Sequence, residues 1–430
     1  MKSAHSMAAA ASTWLVALSL AAAGAAEKPA EDGIIASAEP GWPQWRGPRR
    51  DGICDEKGLL PRWPAGGPKL LWKVEGLGRG WSSPVIARGT CYITGDAAEQ
   101  RTCQIFALGL DGKRKWRVTN GQAWLGSYRG ARACCLFDGG RLYHMNAHGR
   151  VACLDPNTGK ELWAVNVLRR FEGKTIGWGL SECLLADGAR LIVTPGGRKA
   201  LMAALDKATG KTVWASEPLG QDTASYASPI LFRYGGRRHL VSCSSHHAFG
   251  VDADTGKLQW TRPRPTKWQA IATTPLYHKG HVLVGSPDKR MSELFRLVVQ
   301  AGRTRAEPVW LSEMEDMSGC FVHLDGRLYG SGYSKVPGWA CLDFRTGRIL
   351  YQKRDLRRGA QLLAEGLLYC VSQKGDVALL KPADGGFETR GRFRLVAKTR
   401  GDLWAHPVIH DGRLYLRYHD TLWCYDVRGG

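Results

Sequence analysis

The chain carries 430 residues, 44% of them hydrophobic, with 60 Lys+Arg against 39 Asp+Glu and a formal net charge of +21. That is enough apolar chain for a large core, and the positive excess favours acidic partners. The basic residues come as scattered pairs (Arg49-Arg50, Arg169-Arg170, Arg237-Arg238, Arg357-Arg358), which excludes a specific nucleic-acid reader, and no segment after the N-terminus reaches the ~20 uncharged residues of a transmembrane helix.

Residues 1–26 read as an export signal. Lys2 gives a positive start, "MAAAASTWLVALSLAA" an apolar centre, and "AGAA" the small residues required before cleavage ahead of Glu27. The expected mature protein is soluble, in the periplasm or outside the cell. The first cysteine is Cys54, so no lipid acceptor stands at the processed terminus. Residues 27–68 are a Pro/Gly-rich lead segment, and the main domain spans 69–430.

From there the chain repeats itself. "CLDPNTGKELW" (153–163) returns as "ALDKATGKTVW" (204–214), "GVDADTGKLQW" (250–260) and "CLDFRTGRILY" (341–351), with degenerate copies at 107–116 and at the C-terminus. The closing aromatics Trp72, Trp116, Trp163, Trp214, Trp260, Trp310 and Tyr351 stand 41 to 51 residues apart, the length of one four-stranded propeller blade. Ahead of each copy lies a hairpin such as "LFDGGRLYHM" or "VHLDGRLYGS", two short apolar strands joined by an Asp-Gly or Gly-Gly turn. Eight units start near Ser82, Ala131, Ser181, Ser228, Thr274, Gly319, Ala360 and His406. The last lacks a fourth strand, and "KLLWKVE" (69–75) is a strand without a blade. The predicted fold is therefore all-β, an eight-bladed propeller of four-stranded antiparallel blades, closed by an N-terminal strand that completes the last blade.

Asp-Pro-Asn-Thr-Gly-Lys is not a phosphate loop. Such a loop needs Gly-x-x-x-x-Gly-Lys-Ser/Thr between a strand and a helix. Here one Gly joins two strands, so Asp accepts amides two or three residues on, Gly turns left-handed, and Trp packs on the next blade.

These residues resemble the PQQ-like, or quinoprotein-type, eight-bladed propeller repeat proteins. The match rests on repeated "LDxxTGKxxW" with "DGRLY" strands, and "WPQWRGPRRDG" (42–52), "WKVEGLGRGWSSP" (72–84), "IVTPGG" (192–197) and "WAHPVIHDGRLYLR" (404–417) are similar to the secreted planctomycete kind. The resemblance implies kinship with quinoprotein alcohol dehydrogenases, with the propeller lipoprotein of the outer-membrane β-barrel assembly machine, and with extracellular sensors. It also implies a vicinal disulfide, Cys134–Cys135, because the dehydrogenases carry one in a similar "ACC" context. Against that, both can be small residues of a strand, one facing in and one out. A PQQ- and Ca²⁺-dependent site would need hard oxygen ligands, for which Glu182 and Asp222 are the nominees, with Trp178 as a stacking floor.

Other chemistry finds little purchase. Cys153, Cys341 and Cys424 fill one slot in separate blades, no Cys-x-x-Cys occurs, and His144/His148 and His406/His410 would lie about 13 Å apart on strands. His246-His247 is the one pair for a metal test, and no metal site is predicted. A more general pattern lies in the loops that enter inner strands. Trp81, Tyr226 and Trp404 each stand three residues before a proline (Pro84, Pro229, Pro407), and Trp124, Tyr128, Trp178 and Trp268 fall in equivalent loops. With Arg79, Arg129 and Arg132 they make an aromatic, cationic channel face; the same slot also suits blade packing. The leading expectation is a non-catalytic, monomeric, exported scaffold that binds an envelope protein or a glycan through this face. The alternative is a PQQ/Ca-dependent alcohol or sugar dehydrogenase.

Overall fold

Hairpin turns and alternating strands assemble each repeat into one radial sheet. The computed structural model describes Met1 and residues 31–287, 291–317 and 319–429, with the compact unit spanning Glu31–Gly430. The expected export signal lies outside the described residues.

Eight sheets form the ring. In the first blade, Val85–Ala87, Thr90–Ala97, Thr102–Gly109 and Arg114–Gln122 run antiparallel from the channel outward. The innermost strand is wholly buried, whereas the outermost alternates exposed and covered residues, as a sheet with one wet edge must. The eighth blade is composite. Val408–His410, Arg413–Tyr418 and Thr421–Asp426 are completed by Lys69–Val74, which places Trp72 opposite Cys424. Joining the two ends of the chain removes the open edges that the expectation rested on.

The repeated turn is a latch between blades. Asp155 Oδ1 accepts the amides of Asn157 and Thr158 at 2.8 and 2.9 Å, and Asp206, Asp252 and Asp343 repeat the bond to Thr209, Thr255 and Thr346. The Gly of each turn has positive φ and sits on the closing aromatic of the preceding blade. In three of the four turns that indole also donates into the turn: Trp116 to Pro156 O at 3.0 Å, Trp163 to Lys207 O at 3.0 Å, and Trp310 to Phe344 O at 2.9 Å, while Trp214 only packs on Gly256.

The lead segment does more than precede the ring, because residues 33–54 fill its channel and reach the inner rim of all eight blades. Gly33 and Ile34 pair with Arg233 and Phe232 of the fourth blade. Trp42 and Ile86 exchange both backbone hydrogen bonds in the first, and Phe137 of the second donates to Pro43 O at 2.8 Å. The Trp45 indole donates to Thr274 Oγ1 at 2.8 Å in the fifth and packs edge-on against His406, which leads into the eighth. Arg46 donates to Phe321 O at 2.7 Å in the sixth; Arg50 donates to Leu184 O and Cys183 O at 2.9 and 2.8 Å in the third. Ile53 and Cys54 run parallel to Leu363 and Ala364 in the seventh. Pro and Gly keep this stretch out of helix and regular strand, so long side chains supply the donors that free inner-strand carbonyls need. Burial pushes the Arg50 guanidinium down to about 10, so it stays charged at neutral pH.

Candidate functional site

The loops that enter the inner strands meet at one mouth of the plugged channel. There Trp81, Tyr128, Arg132, Trp178, Tyr226, Trp268 and Trp404, all expected from their loop positions, line one cavity of about 400 Å³. Trp45 reaches it from the plug, which closes the cavity toward the channel. Volume and lining fall in the range of ligand pockets.

The rings touch in series. Trp81 and Trp404 are 5.0 Å apart at 33°, Trp404 and Tyr128 5.4 Å at 46°, Tyr128 and Trp178 6.2 Å at 85°, Trp178 and Tyr226 5.5 Å at 40°. No two are parallel, so the wall curves. Tyr128 adopts a left-handed backbone, φ 53°, in a loop tied down by Arg132, whose guanidinium donates to Gly130 O, Ser127 O and Tyr128 O. Arg132 also lies over the Trp81 ring at 5.0 Å, and burial pushes it down to about 10. Its Nη1 and Nη2 atoms both bond the loop, so it holds the shape of the wall.

Arg79 and Arg129 lie next door. With Arg358 and Arg400 they line a basin of about 810 Å³ that shares Tyr128, Met317, Tyr333 and Trp404 with the aromatic cavity. Trp124 does not line the cavity. It stands behind it, under Arg132 at 5.7 Å and against His148, with its indole donating to Ser127 O at 3.0 Å.

Glu182 also departs from expectation. It is 2% exposed and turned into the blade, where Thr194 N–H donates to Oε2 at 2.9 Å and Oε1 has no partner. Desolvation pushes its carboxyl up to about 8. Asp222 accepts from Ser244 Oγ and faces His247 Nδ1 at 2.8 Å and His246 Nδ1 at 3.1 Å, away from the cavity wall. Among the described residues no His, Cys, Asp and Glu group of three suits a metal ion. Ca²⁺ with PQQ needs oxygen ligands, and the cavity wall carries no carboxylate, so the residues present do not fit that group.

Cys134 and Cys135 are separate buried thiols, as are the other ten cysteines. Cys134 Sγ accepts from Ser83 N–H at 3.1 Å, and the Cys134 amide faces Cys183 Sγ at 3.2 Å. The implied vicinal bridge is not formed, consistent with neighbouring side chains leaving an extended chain on opposite sides.

Sequence reasoning missed Trp45, Met317 and Tyr333. Trp45 lies outside the repeats, and Tyr333 sits in the turn between the second and third strands of its blade, a slot without a repeated aromatic.

A family model described as outer membrane protein assembly factor BamB matches residues 52–171 and 147–388. The outer membrane protein assembly factor BamB of Yersinia pestis is 22% identical over 294 residues, 65% of this chain and 69% of that protein. Among solved structures, BamB from Moraxella catarrhalis is similar with a TM-score of 0.58 at 15% identity, covering 84% of this chain and 98% of that one. Quinohemoprotein alcohol dehydrogenase from Comamonas testosteroni reaches 0.60 at 12% identity, covering 91% and 81%. At these identities the structural likeness speaks for the fold alone.

Proposed function

Because the chain belongs to the family described as outer membrane protein assembly factor BamB, we propose that it is a non-catalytic scaffold of the cell envelope that docks an envelope protein at the channel mouth. The observation that carries the reading is the aromatic cavity closed at its inner end by Trp45. A rigid ring presenting large aromatics around a blind pocket suits a partner's anchor side chain. Export, by the N-terminal signal, goes with this reading, and the assembly role named for the family supplies the context. A quinone-dependent dehydrogenase is disfavoured by the missing carboxylates.

The test is a photo-crosslinking residue placed at Trp268, 65% exposed at the mouth, or at Leu311, 56% exposed on the outermost strand of the fifth blade. In intact envelopes the first position gives discrete protein adducts and the second does not. Equal adducts from both positions, or none from Trp268, would reject docking at the mouth.

A further inference from the structure

We propose that the aromatic cavity and the arginine basin form one site for an acidic polypeptide segment that inserts a large apolar or aromatic side chain. The inference rests on the docking reading and specifies its partner. Continuity is the first observation: Tyr128, Met317, Tyr333 and Trp404 belong to both walls, so a ligand in one is in reach of the other.

The cavity selects an apolar group. Aromatic rings make up most of its wall, and three of its polar side chains are tied to backbone: Ser181 Oγ donates to Tyr226 O at 3.0 Å, Ser228 Oγ accepts Cys183 N–H at 3.0 Å, and Tyr226 OH accepts Trp178 N–H at 3.1 Å. The mutually tilted rings surround a compact side chain from several sides. Among the described large hydrophobic side chains left exposed, the aromatic ones are Tyr128 at 53% and Trp268 at 65%, and both stand at this mouth. That exposed apolar surface asks for cover.

The basin selects negative charge. Arg79, Arg129, Arg358 and Arg400 face one acid, Asp402, which is already held by Tyr418 OH at 3.1 Å and by His419 Nε2 at 3.1 Å. Arg79 lies 3.9 Å from it, while Arg129, Arg358 and Arg400 make no ion pair among the described residues. Arg358 is stacked over Tyr333 at 4.0 Å and donates to Tyr333 O and Gln373 Oε1, which fixes it at the border between the two halves. Guanidinium groups in a recess attract carboxylates from solution and bind them in a forked geometry.

The experiment uses full-length protein and a fluorescein-labelled peptide, Gly-Asp-Asp-Phe-Asp-Asp-Gly, read by fluorescence anisotropy. Saturable binding is expected. It weakens at least tenfold when the aspartates become asparagine, when Phe becomes Ala, and in the double variant Arg129→Ala/Arg400→Ala, whose unchanged thermal midpoint shows that it folds. Added salt weakens it further. Absence of binding, equal binding of the asparagine peptide, or displacement by a neutral oligosaccharide overturns the assignment. If the peptide fails while Trp268 still crosslinks to a protein, docking stands and the acidic, aromatic partner falls; if both fail, docking falls too.

Discussion

The Glu182 carboxyl is enclosed where water does not reach it, and stability should record that. Burial raises its folded value to about 8, against roughly 4.3 in an unfolded chain, with Cys183 adding to the burial effect and Arg50 opposing it. Below the unfolded value both states hold the proton and nothing is lost. Between there and about 8 the unfolded chain ionises while the folded one keeps its proton, so stability falls as pH rises. Glu182→Gln removes this dependence. Urea unfolding at several pH values should show wild type losing at least ~1 kcal/mol relative to the variant between about pH 5 and pH 8; parallel profiles would contradict it. Arg50 gives the second residue-scale prediction. Arg50→Ala leaves the Cys183 and Leu184 carbonyls without their donor and should cost about 1–3 kcal/mol for each in the same measurement, with Arg50→Lys recovering only part because one ammonium does not reproduce the fork. Loop position was enough to place Trp81, Tyr226 and Trp404 in the sequence, since three residues before a strand-opening proline fixes the end of the blade. The direction of Glu182 was not legible because it stands three residues ahead of the inner strand Leu185–Asp187, where no repeat marks which way a side chain turns.

At the scale of the element, the Asp-Thr-Gly turn and its aromatic act as one part. Gly256 has φ +76°, and an added Cβ would lie 2.5 Å from the Trp214 ring, whereas Gly366 has φ +73° with nothing within 4 Å. Gly366→Ala should cost about 1–2 kcal/mol from backbone strain alone. Gly256→Ala should cost a further ~1–3 kcal/mol because the latch must open; equal losses in thermal or urea unfolding would mean that the contact does not hold the blades. This element was legible because repetition separates a structural turn from a functional loop. Its reach was not: the carbonyls that receive Trp116, Trp163 and Trp310 lie 34 to 44 residues along the chain, beyond any local pattern.

For the whole molecule, eight repeats and one orphan strand gave the ring and its closure, since a missing fourth strand and an unassigned Trp-bearing strand complete each other. The plug stayed hidden. Residues 33–54 have no period, and their partners lie far along the chain, 355 residues away for Cys54 and the carbonyl of Ile409. The plug shapes the proposed site, because Trp45 lines the cavity from the channel side. On the proposed reading this cavity holds a partner's side chain and not a redox cofactor. Calorimetric titration of the full-length protein with PQQ in the presence of Ca²⁺, with the quinone absorbance followed in parallel, tests it most directly. No saturable heat and no spectral shift are expected; one-to-one binding with a perturbed quinone spectrum would overturn the docking cavity.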